Sequence, residues 1–73
     1  MPTDPETFGA NVRAARAARE WTQEDLADAT GLAVVQVSRI ERGVREVRLT
    51  TIARLARALD VTPNDLMRGL YES

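Results

Sequence analysis

Residues 21–43 read WTQEDLADATGLAVVQVSRIERG, and this stretch decides the fold. Thr22 and Asp25 stand three apart, the spacing of a helix N-cap and its N3 partner, in which each side chain closes the other's backbone N–H. Trp21 then falls at N′ and Leu26 at N4, the two ends of a hydrophobic staple that fixes the entry angle of the chain. Leu26 and Ala27 face inward. The helix stops around Thr30-Gly31, where glycine suits a left-handed turn. After a very short connection a second helix runs from about Ala33 to Arg42 and ends at Gly43. Val37 and Ile40 mark its inner face. At about 100° per residue, Val35, Ser38, Arg39 and Arg42 share the opposite arc. That arc is polar and basic except for Val35.

Working outward, the pattern stays helical and no segment alternates like a strand. Helix one is expected to begin near Pro5, with Asp4 as N-cap and Pro5 at the first helical position. Phe8, Val12 and Ala15 form its buried stripe. Glycines and prolines, Gly9 included, are read as edge markers between elements. A loop from Val44 to Arg48 leads into helix four, about Leu49 to Leu59, where Ile52, Leu55, Ala56 and Leu59 give the cleanest amphipathic repeat in the chain. A last short helix starts near Pro63 with Thr62 as N-cap. Leu66, Met67, Leu70 and Tyr71 give this end an apolar side, which either finishes the monomer core or forms a homodimer interface.

The 73 residues suffice for one small domain, expected to span 1–73. No run approaches the roughly 20 apolar residues of a membrane helix. The acidic start MPTDPETFG lacks the apolar region of a signal peptide. There is no Cys, which excludes disulfides and thiol chemistry, and no His, the commonest general base and metal ligand. There is no Lys either, which excludes a P-loop or a Schiff base. An enzyme would have to work with carboxylates and hydroxyls in a domain with little room for a cleft, so no catalysis, cofactor or metal is expected.

Net charge is −1, which taken alone argues against nucleic acid. The distribution reverses that reading. Residues 39–57 hold six Arg against Glu41 and Glu46, a local +4 on an otherwise acidic chain. Such asymmetry permits a basic surface on an acidic protein. Two short helices joined by a tight glycine turn, the second with a basic outer arc, make a helix-turn-helix. In that arrangement the first helix crosses the DNA backbone and the second enters the major groove, about 12 Å wide.

The run from Trp21 to Gly31, with Val37-Ser-Arg-Ile-Glu-Arg-Gly43 and Leu49-Thr-Thr-Ile-Ala-Arg-Leu-Ala-Arg-Ala-Leu-Asp-Val61, resembles the Xre/Cro-type, phage-repressor-like helix-turn-helix family. The resemblance covers about residues 8–70. It implies an all-α, compact five-helix domain that binds operator DNA, usually as a dimer. It also implies roles by position. Ala33, Val34, Val35, Gln36 and Arg39 stand at base-contact positions. Gln23, Ser38, Arg42, Arg45 and Arg48 stand at phosphate-contact positions. Glu41 matches the family's structural acid, whose partner on helix one is here Arg16.

Two departures matter. Ala33 stands where Ser or Thr is usual, followed by Val34 and Val35. These valines would touch thymine methyls, or Val34 packs inward, or the face now binds protein. Arg48 stands where a Ser or Thr cap for helix four is usual. The leading expectation is therefore a cytoplasmic, nucleoid-associated transcriptional regulator that binds a palindromic operator in double-stranded DNA as a homodimer. The competing one is a protein-interaction module, such as an antitoxin or adaptor, with a toxin or polymerase as a possible partner. No membrane partner is expected.

Overall fold

The structure, a computed structural model, describes residues 1–70. Five helices follow one another: α1 Asp4–Ala18, α2 Gln23–Thr30, α3 Val34–Arg42, α4 Leu49–Leu59 and α5 Pro63–Leu66. The described residues contain no strand.

Local chemistry sets most of these boundaries. Thr22 and Asp25 form a reciprocal capping box at the start of α2, with Thr22 N–H donating to Asp25 at 2.8 Å and Asp25 N–H donating to Thr22 at 3.0 Å. Gly31 ends the helix in the left-handed region at φ 77°. Thr30 braces the same turn from inside: its hydroxyl donates to the Leu26 carbonyl at 2.7 Å, and its oxygen accepts from Leu32 N–H. Gly43 ends α3 at φ 69°, and the Val44 N–H reaches back to the Arg39 carbonyl. Thr62 and Asp65 repeat the capping box at α5.

The expected cap of α1 needs correction. Thr3, not Asp4, is the N-cap. Thr3 has Glu6 three residues on, so two backbone donors are closed at once, at 2.8 and 3.2 Å. Asp4 has only Thr7 at that spacing. The backbone N–H of Thr3 holds the Glu6 carboxyl below its ordinary pKa, and the N–H of Thr62 does the same for Asp65.

The core comprises Phe8 and Val12 of α1, Leu26 and Ala27 of α2, Val37 of α3, Leu55, Ala56 and Leu59 of α4, and Leu66 of α5. Every helix contributes, so each apolar stripe is buried against the others rather than on its own. Leu66 corrects a second expectation. It is 1% exposed and belongs to the core, so it cannot form a dimer surface. Met67 and Leu70 are half-buried against it, and Tyr71 lies outside the described residues. Asn11 secures this end of the chain by donating from its amide to the Leu66 and Arg68 carbonyls, both at 2.8 Å.

Gly9 is not an edge marker. It sits inside α1 where α3 crosses, and a Cβ there would strike the Ile40 carbonyl oxygen and come within 2.7 Å of the Glu41 carbonyl oxygen. The missing side chain lets the two helix backbones touch. This contact is the foundation on which α3 is held.

Candidate nucleic-acid interface

Among the described residues, nothing covers the outer face of α3. Val37 is fully buried and Ile40 packs partly against the core, which turns Val34, Val35, Gln36, Arg39 and Arg42 outward. Val35 is 54% exposed and Val34 42% exposed, so Val34 does not pack inward. Ser38 is half-buried on the flank of this arc. No Ser or Thr caps the helix. Instead the Gln36 side-chain oxygen accepts from the Ala33 N–H at 3.1 Å. One lone pair of that oxygen and both amide hydrogens remain for another partner.

Beyond α3 the basic surface continues into the loop and the start of α4. An open groove runs between them, with Gln36, Arg39, Arg45 and Arg48 along its walls and Val44, Glu46 and Thr51 between. The structure thus brings together residues from one helix and the following loop that were singled out separately. Arg48 is the N-cap of α4, and because a guanidinium offers no acceptor, this helix starts without a side-chain cap. Arg42 leans back on its own helix, with Nε 3.4 Å from the Ser38 carbonyl oxygen.

The support beneath this face is a hydrogen-bonded ionic cluster. Arg16 of α1 grips Glu41 of α3 through Nε at 2.7 Å and Nη2 at 2.9 Å, while Nη1 donates to the Trp21 carbonyl at 2.7 Å. The two side chains are only 15% and 3% exposed. A carboxylate so buried is tolerable because three donors reach it: the two from Arg16 and the Gln23 amide at 3.1 Å. The hydrogen bonds from Arg16 to the Glu41 carboxylate raise the Arg16 pKa above the ordinary guanidinium value. One carboxylate therefore joins α1, α2 and α3.

Gln23 was singled out as a phosphate residue. Here one of its amide hydrogens is committed to Glu41, and the other remains. Thr22 accepts only from Asp25 N–H, so the backbone N–H groups of Gln23 and Glu24 stand at the mouth of α2, the usual position for an anion.

Several residues outside the expected site support the fold around it. Arg19 packs over the Trp21 ring, 4.5 Å from its centroid, and donates to the Leu59 carbonyl at the end of α4. Asn11 gives no local signal, because both its acceptors lie more than fifty residues away. Thr3 did carry a signal, since Thr3-x-x-Glu6 repeats the capping spacing seen at Thr22.

The family model described as Helix-turn-helix matches residues 12–66. The crystal structure of the restriction-modification controller protein C.AhdI from Aeromonas hydrophila superposes with a TM-score of 0.83 at 43% identity, covering 86% of this chain and 96% of that one. Control protein C.BamHI of Bacillus amyloliquefaciens is 41% identical over 61 residues, 82% of this chain and 75% of that protein. An uncharacterized HTH-type transcriptional regulator of Mycobacterium tuberculosis is 37% identical over 65 residues, and there this chain spans only 25% of the relative's length. On fold, on sequence and on the placement of its two central helices, the chain belongs to the Xre/Cro-like helix-turn-helix family, together with transcriptional regulators and restriction-modification controllers.

Proposed function

We propose that this chain is a sequence-specific transcriptional regulator that binds a palindromic operator as a homodimer, with α3 in the major groove. The observation that carries the reading is the uncovered arc of α3, continuous with the arginines of the following loop, on a scaffold that buries every other helix stripe. Arg39 is the group suited to a guanine, since its fork matches O6 and N7 together. Val34, Val35, Gln36 and Ala33 form the rest of the base-facing turn. Arg42, Arg45, Arg48, Ser38 and the α2 end at Gln23 grip phosphates on either side, which fixes register without reading sequence. A bound operator would keep the protein at its promoter in the cytoplasm, where it blocks or touches polymerase.

Selection from a randomised duplex library, followed by anisotropy titration, tests this. Arg39→Ala is expected to relax discrimination at one base pair per half-site by about 1–3 kcal/mol. Arg45→Ala is expected to weaken all sequences alike and lower the salt slope by about 0.9. Unchanged affinity and unchanged preference in Arg39→Ala would count against the assignment of that residue.

For the homodimer, Met67, Leu70 and Tyr71 remain as the candidate surface once Leu66 is assigned to the core. A two-fold pair would set its recognition helices about 34 Å apart, one turn of DNA. Sedimentation at micromolar concentration is expected to show a species above the 8.1 kDa monomer, with DNA or without it. A monomer under both conditions would remove this part of the reading.

The second reading is a protein-interaction module, such as an antitoxin or adaptor. It is favoured by the exposure of Val34, Val35 and Val44, three apolar side chains at or beside the same face. Tight binding to a protein partner with no affinity for any duplex would select it.

A further inference from the structure

The outer arc of α3 is apolar at its centre. Taking about 100° per residue, Val35 lies in the middle of the outer arc, with Arg42 about 20° to one side and Arg39 about 40° to the other. Val35 is 54% exposed on an arc it shares with Ser38, Arg39 and Arg42, and nothing among the described residues covers it. It is the second residue of α3, in the first turn, and the first turn of a recognition helix is the part that reaches base edges. A valine has no hydrogen-bonding atom. The feature of a base edge it can match is the methyl group carried at C5 of a pyrimidine, which projects into the major groove.

Arg39 stands one turn further along, about 6 Å up the helix axis. Successive bases are about 3.4 Å apart along a strand. A helix lying along the groove therefore sets the methyl under Val35 within two base pairs of the guanine under Arg39. This separation is short enough for both contacts to be made in one half-site.

On the reading that this chain is a DNA-binding regulator, we propose that Val35 is a reader of pyrimidine C5 methyl groups, acting beside Arg39 on a guanine within two base pairs. The methyl of thymine and the methyl of 5-methylcytosine occupy the same place in the groove. Val35 consequently makes the affinity depend on the C5 methyl at that position, so a half-site that carries cytosine there is bound according to its methylation. Val34, 42% exposed in the same turn, flanks the contact about 100° around the helix and is the less central of the two.

The probe is the duplex enriched by the wild-type protein from a randomised library, resynthesised with single-base replacements. Each thymine near a guanine is replaced by deoxyuracil, which removes the methyl and nothing else. At the same position a cytosine and a 5-methylcytosine duplex are compared with each other. The wild type is expected to bind about fourfold less well without the methyl in both pairs, the fold-change equivalent of about 0.8 kcal/mol for one buried methyl. In Val35→Ala, which keeps the helix and its exposed turn, both ratios are expected to fall to about one, so the coupling is isolated by a double-mutant cycle. The proposal is overturned if deoxyuracil changes nothing at any thymine, if Val35→Ala keeps the same ratios, or if the enriched half-site has no thymine within two base pairs of a guanine. In each of those results specific DNA binding stands and only the methyl reading fails. If no duplex is enriched at all, the regulator reading itself fails and takes this one with it.

Discussion

Replacing Arg16 with methionine is expected to cost about 3–5 kcal/mol of folding stability, the largest loss from any single charged residue in the chain. Arg16 supplies two of the three donors on Glu41, whose side chain is 3% exposed. Methionine fills similar space and donates nothing. Glu41 would then be a buried carboxylate held by the Gln23 amide alone. The Trp21 carbonyl would lose its Arg16 donor as well. A domain of this size has a total stability of roughly 4–11 kcal/mol, so the loss removes from about a quarter of it to all of it. Urea melts read the difference directly. The asymmetry of the pair gives a second check. Glu41→Gln keeps an acceptor oxygen and leaves the charge on Arg16, which is the more exposed partner and has a long side chain that can reach water. It should cost clearly less. Replacing both by apolar residues should recover much of the loss, because the expense lies in stranding one charge rather than in the worth of the pair. A loss below about 1 kcal/mol in Arg16→Met would mean that Glu41 is solvated, as an exposed ion pair is.

Gly9→Ala is the other substitution with a large expected effect, a net loss of up to about 2 kcal/mol. Helix propensity points the opposite way, since alanine in the middle of α1 should gain about 1 kcal/mol over glycine. The loss comes from the crossing with α3. The added methyl would meet the carbonyl oxygens of Ile40 and Glu41, and these are backbone atoms of a helix rather than the movable tip of a side chain. The helices must separate or tilt. Such a movement strains the Arg16–Glu41 fork and re-aims the outer face of α3, so Gly9→Ala should also weaken DNA binding beyond what its stability loss explains. Thermal melts alongside anisotropy on the selected duplex distinguish the two effects. A variant more stable than the wild type would show that the crossing has slack. Gly31 makes the contrast plain: a Cβ there meets nothing within 4 Å, and glycine is needed only for its φ of 77°.

The unequal legibility of these features has a physical basis. The helix-turn-helix could be placed from the sequence because its signals are local. The Thr22–Asp25 box, the inward Leu26 and Ala27, the Gly31 and Gly43 stops and the Leu49–Leu59 repeat each involve residues within a few positions of one another. The outward turn of Val35 and Arg39 followed from helical periodicity once Val37 was set inside. The misplaced cap at Asp4 was also a local matter, and the Thr3–Glu6 spacing would have corrected it.

The chain's own residues therefore determined the number of helices, their order and which face of α3 meets solvent, because caps, turns and periodicity act over one or two turns of backbone. Tertiary structure alone decided that Gly9 is a contact rather than a boundary, that Leu66 completes the core, that Asn11 ties down the last turns and that Gln23 shares the Glu41 carboxylate. Each of those outcomes depends on an atom eighteen to fifty-seven residues away, or on a neighbouring helix whose distance no local pattern encodes.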